Sequence, residues 1–197
     1  MYALSIHHTT TYRYRQAVGL APHRLMLRPR ESRDLRLISN DITITPAATI
    51  SWAYDVSGNA VATANFQGKA DTLTIVSHTE LQVAIDAWPV FDIAASAINF
   101  PFRYADDEWT DLGALSLGQY PDPDRRLQAW AQGFVRGNPT DTLSLLKDLS
   151  AGVSQSVAYE IREDEGTQSP VETLRRGLGS CRDFAVLFVE AVRSLGF

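Results

Sequence analysis

Cys181 is the only cysteine among 197 residues, and its neighbours determine what its thiol can do. Ser180 before it is a helix-capping residue, and Asp183, three positions after Ser180, stands where a capping box places an acid. The spacing therefore predicts Cys181 at the first position of a helix. An apolar stripe of Phe184, Leu187, Phe188, Ala191, Val192 and Leu195 continues that helix, with Arg182, Asp183, Glu190 and Arg193 off the stripe. Amides of a first helical turn lack intrahelical partners, and the helix dipole adds partial positive charge there. Both effects favour thiolate over thiol, and the Arg182 cation adds to them. A thiolate so placed is a nucleophile for carbonyl carbon, with the Cys181 N–H as an oxyanion donor. Because Cys181 lies three residues before Phe184, the same pattern puts it on the core-facing side. A cysteine there is also readable as a small buried hydrophobe with only a structural role.

The preceding elements must position this turn. Ser169-Pro170-Val171-Glu172 is a capping box with proline at the first helical position, and Gly177 and Gly179 end that helix. Pro123 to about Phe134 has helical period, with Leu127, Trp130, Ala131 and Phe134 on one face. Asn138-Pro139-Thr140-Asp141 opens the next helix, whose Leu145, Leu146, Leu149 and Val153 face inward. Ser156 to Ile161 alternates and contains Tyr159, and Arg162-Glu163-Asp164-Glu165-Gly166 reads as a solvated turn. Residues 86–122 form a connector without clear period. Its aromatics (Trp88, Phe91, Phe100, Phe102, Tyr104, Trp109) predict packing at a domain junction.

Residues 1–85 read as short strands separated by turn chemistry, above all at Asp55-Val56-Ser57-Gly58-Asn59. The expected fold is α+β, an antiparallel β-sandwich followed by a helical region over 123–197. Adjacent His7 and His8 in a strand point to opposite faces and cannot ligate one ion together. Arg24, Arg28, Arg30, Arg33 and Arg36 form a basic cluster. It suits an acidic partner, a pairing with acids of the second domain, or a sheet edge protected by charge.

The formal charge of −5 argues against a nucleic-acid partner. No apolar run approaches the roughly 18 residues of a membrane span, and no secretory leader is visible at the N-terminus. A lone cysteine excludes an internal disulfide framework and fits a reducing cytoplasm, the expected location. No cofactor or metal is expected, since ligand spacing is lacking, and redox chemistry fails on the cysteine count.

The run Gly177-Leu178-Gly179-Ser180-Cys181-Arg182-Asp183-Phe184-Ala185, followed by Arg193-Ser194-Leu195-Gly196, resembles the nucleophile segment of the transglutaminase-like superfamily. Tyr159 and Thr167-Gln168-Ser169-Pro170-Val171-Glu172-Thr173-Leu174 also resemble that family. Leu27-Arg28-Pro29-Arg30 and Asp55-x-x-Gly58-Asn59 resemble the β domain ahead of many bacterial members. The resemblance implies a papain-like core in which Cys181 is the nucleophile of a Cys-His-Asp triad acting on peptide or protein amides. Ser180, Arg182, Asp183 and Tyr159 would support the site, Asp183 as a helix cap and Tyr159 as a cleft or structural residue. In that family the histidine and aspartate follow the cysteine. Here His7, His8, His23 and His78 all precede it. The expectation is an incomplete catalytic domain that is inactive by itself, with an apolar helix face left to self-associate. The rival expectation is a non-catalytic binding or scaffolding module.

Overall fold

The β-branched and aromatic runs of the N-terminal part form strands in the computed structural model, which describes residues 2–84, 93–162 and 164–197. The chain divides into two units, Met1–Val90 and Phe91–Phe197. Unit 1 holds β1 (Tyr2–Gly19), β2 (His23–Leu25), β3 (Leu35–Thr45), β4 (Ala48–Tyr54), β5 (Ala60–Phe66) and β6 (Lys69–Val83). They make two antiparallel three-stranded sheets, β1-β6-β3 and β2-β5-β4. Leu25, Ala62 and Ala64 of one sheet bury against Leu73 and Ile75 of the other, with Ile42, Ile44 and Ile50 around them. This is a sandwich, and burial of these side chains supplies its driving force.

The β4–β5 connection is fixed by Asp55, whose carboxylate accepts the N–H groups of Ser57 (2.9 Å) and Asn59 (2.8 Å) and the Asn59 side-chain amide (2.9 Å). Gly58 takes the left-handed backbone (φ 75) that the turn requires. β2 ends at Leu25 and leaves Met26 exposed. His7 and His8 lie on β1, where His7 pairs across the ladder with His78 and His8 with Ser77.

Unit 2 contains β7 (Asn99–Phe100), α1 (Asp106–Leu112), α2 (Arg126–Gln132), β8 (Thr140–Asp141), α3 (Thr142–Ser156), β9 (Ala158–Tyr159), α4 (Pro170–Arg176), β10 (Leu178–Gly179) and α5 (Cys181–Leu195). The connector hides α1, whose seven residues are too few to display a stripe. Its start is marked instead by three acids in the first turn, where the helix dipole favours them. Phe100 stacks on Phe197 at 5.4 Å, and Phe102 meets the same ring edge-on. Trp88 and Phe91 lie outside the described residues.

α2 begins at Arg126, not at Pro123. Arg125 sits in left-handed backbone (φ 52), and the Asp122 carboxylate accepts the N–H groups of Arg126 and Gln128. Asp141 caps α3 by accepting the Ser144 N–H at 2.7 Å. Leu127, Ala131, Leu145, Leu149, Val153, Leu187 and Ala191 form one buried core. Phe184, Phe188, Val192 and Leu195 pack partly buried against it. The predicted stripe of α5 is thus the face that meets α2, α3 and α4. A methyl group on Gly152 would collide with the ring of Phe134. Gly152→Ala is therefore expected to destabilise by about 1–3 kcal/mol, although helix propensity alone favours it by about 1 kcal/mol. Urea unfolding of the two proteins checks the sign.

Candidate active site

α5 starts where it does because Asp183 reaches back over the first turn. Its Oδ2 accepts the Ser180 N–H and the Ser180 hydroxyl, both at 2.8 Å. Its Oδ1 accepts the Gln168 N–H at 2.7 Å, and Arg162 Nη1 donates to both oxygens at 3.0 and 3.1 Å. Asp183 is fully buried, and the Arg162 side chain is 10% exposed. Burial alone pushes the Asp183 carboxyl up. The hydrogen bonds from Gln168, Ser180 and Arg162 outweigh that effect and hold it well below the usual carboxylate range. The same pairing, led by the hydrogen bond to Asp183, raises the Arg162 guanidinium above its ordinary value.

Asp183 is therefore the helix cap that its spacing predicts, and also a buried counter-ion. Arg162 is its partner and corrects the reading of residues 162–166 as a solvated turn: the first residue of that loop is anchored in the interior. Arg182 grips the loop from outside, donating to the carbonyls of Arg162 and Asp164. Gln168 completes the frame. Its Nε2 donates to the Leu178 carbonyl at 3.0 Å, and its Oε1 accepts from Arg176 at 2.8 Å. Glu163 lies outside the described residues.

The approach to Cys181 is a parallel pairing of β9 with β10 that sets Tyr159 opposite Gly179. Ala158 donates to the Gly177 carbonyl and Glu160 to the Gly179 carbonyl, both at 2.8 Å. Tyr159 is thus placed beside the residue that leads into Ser180, with its side chain largely exposed. Gly177 closes α4 in left-handed backbone (φ 63). Gly179 serves a different need: a Cβ there would stand 3.1 Å from Asp183 Cβ and 3.4 Å from Thr173 Cγ2. Glycine lets the chain enter α5 directly over the buried carboxylate.

Cys181 itself is exposed, which corrects the expectation that it shares the core-facing side with Phe184. The partner helices cover the middle of α5, where Leu187 and Ala191 are buried. The first turn is held by Asp183 and its donors and not by apolar packing. The result is a solvent-accessible thiol at the N-terminus of a fifteen-residue helix, at the positive end of its dipole. Asp183, two residues away, is not available as its base, because both carboxylate oxygens are occupied by donors. The four histidines of the sequence all lie in unit 1. Among the described residues no group of three or more side chains of metal-ligating type gathers.

Arg162 and Gln168 are the site-building residues that motif spacing did not single out. The available signal was the buried acid itself: a carboxylate at the third helical position under a tight glycine entry needs a cation, and the nearest loop upstream begins with arginine.

Two family patterns match this chain, the bacterial transglutaminase-like N-terminal region over residues 4–82 and the transglutaminase-like superfamily over residues 128–197. The crystal structure of a proposed cysteine protease from Cytophaga hutchinsonii superimposes with a TM-score of 0.69 at 16% identity. The superposition covers 98% of this chain and 63% of that one, so the present chain spans somewhat under two thirds of its length. No curated protein matches.

Proposed function

This chain belongs to the transglutaminase-like superfamily, and from that premise we propose that Cys181 is the nucleophile of a thiol enzyme acting on peptide or protein amides. The thiolate sulfur of Cys181 attacks the amide carbonyl, and its N–H takes the developing oxyanion. The tetrahedral adduct expels the amine, which departs with a proton, and leaves a thioester on Cys181. A second amine or a water molecule then attacks the thioester and restores the thiol, giving transamidation or hydrolysis. The reading assigns the imidazole base and its acid to polypeptide outside these 197 residues, in keeping with the family order in which they follow the cysteine.

The observation that carries this reading is the exposure of Cys181 on a first turn built by buried groups. A structural cysteine is packed away as a small hydrophobe. This one is presented, while the acid beside it is withdrawn. The test is iodoacetamide alkylation of Cys181 at neutral pH, followed by the mass of its tryptic peptide in folded and urea-unfolded chain. Alkylation in the folded chain at least as fast as in the unfolded one is expected, since folding leaves the thiol exposed at the start of α5. Slower alkylation when folded would favour the rival binding or scaffolding module.

A further inference from the structure

β4 is an end strand of its sheet. It pairs with β5 in unbroken register from Ala48↔Phe66 to Tyr54↔Ala60, and among the described residues the sheet order places no strand beyond it. Among the described residues no backbone hydrogen bond reaches its outer side. Natural edges are usually blunted by lysine, proline or a bulge. The sequence Ala-Thr-Ile-Ser-Trp-Ala-Tyr has no charge and no proline, so this edge is left fit to receive another strand.

The surroundings of the edge indicate which strand. Two adjoining hollows of about 280 and 230 Å3 share Arg28, Tyr54 and Ala60, and Trp52 forms a further wall. Trp52 and Tyr54 are both exposed. Arg30 is fixed there, because its Nη2 donates to the Ser57 carbonyl at 2.8 Å and its guanidinium lies against Gly58. Arg28 is exposed and forms no hydrogen bond or ion pair with any described residue. The one acid in the hollow, Glu31, is engaged by the Leu37 N–H at 3.1 Å. Its wall therefore presents two guanidiniums beside aromatic faces, next to an unpaired backbone edge.

We propose that the outer edge of β4 and the Arg28 hollow bind an extended acidic peptide segment, which adds to the β2-β5-β4 sheet as a fourth strand. The backbone edge selects a peptide, because only another main chain satisfies a row of free N–H and C=O groups. The guanidiniums select carboxylates, which they bind in paired geometry. Alternation along a strand presents every second side chain to the arginines and aromatics. The proposal concerns unit 1 alone and stands whether or not Cys181 reacts.

The experiment is fluorescence anisotropy on the full chain with a fluorescein-labelled peptide of alternating glutamate and threonine. Saturable binding is expected, with none for the corresponding lysine–threonine peptide. Arg28→Glu, at an exposed position that leaves the fold intact, is expected to weaken binding at least roughly tenfold. Two further peptides carry N-methyl groups on the glutamate or on the threonine amides. In an added strand only one of these sets faces β4, so one peptide is expected to lose binding and the other to keep it. Equal binding of both methylated peptides would reduce the effect to charge attraction and overturn the proposal. Unchanged affinity in Arg28→Glu, absence of binding, or a self-paired dimer that the peptide does not displace would also overturn it.

Discussion

Asp183→Asn is expected to destabilise the helical unit by about 3–5 kcal/mol, the cost of breaking a buried pair from one side. Asparagine has the same shape, so packing is preserved and charge and hydrogen bonding are what change. Arg162 would keep its positive charge in a side chain only 10% exposed, with a buried Nε that already has no partner. The one amide nitrogen of asparagine would also point its donors at either the Ser180 N–H or the Gln168 N–H, which now donate to different carboxylate oxygens. The sign of the pH dependence follows from the depressed carboxyl. In the unfolded chain the group titrates near 4, and in the folded chain lower. The stabilisation is therefore complete above about pH 4 and declines as pH falls below that value toward the folded one. Urea unfolding across pH is expected to show a large gap between wild type and Asp183→Asn at neutrality that narrows in acid. An Arg162→Met, Asp183→Asn double variant is expected to lose less than the two single losses summed.

Cys181→Ala is expected to do the opposite. The thiol is exposed and fills no cavity, so unfolding free energy is expected to change by no more than about 0.5 kcal/mol. Loss of a covalent nucleophile, by contrast, is expected to lower amide turnover by roughly a thousandfold or more in a form of the protein that carries the proposed histidine and acid. Two readouts on one variant separate the roles. A stable but inactive protein marks a nucleophile, whereas an active or unstable one marks a structural cysteine.

The contrast between these residues shows what sequence could convey. Ser180, Asp183 and the stripe from Phe184 to Leu195 lie within one helix, where local periodicity and capping rules operate, and the start of α5 was legible from them. Ser169 and Pro170 gave the start of α4 in the same way, and its Ser169 cap is present at 3.2 Å. The Asp183–Arg162 pair spans 21 residues of chain, and no local rule links a charged loop to a helix cap. Exposure of Cys181 was hidden for a related reason. Helical spacing gives the side of a helix but not how far along it the neighbouring helices reach. The displaced start of α2 reflects a left-handed Arg125, a conformation that arginine does not advertise. In unit 1, the alternating runs and the Asp55 turn made a sandwich legible. The unprotected edge of β4 emerged only with the strand order.

In the proposed reaction Cys181 carries the acyl group. The most direct measurement is the mass of the Cys181 peptide after a form of the protein that carries the proposed histidine and acid is mixed with a glutamine-bearing peptide and quenched in acid. A thioester adduct on Cys181 is expected, heavier by the peptide less ammonia and released by hydroxylamine. Turnover without an adduct on Cys181, or turnover that persists in Cys181→Ala, would contradict it.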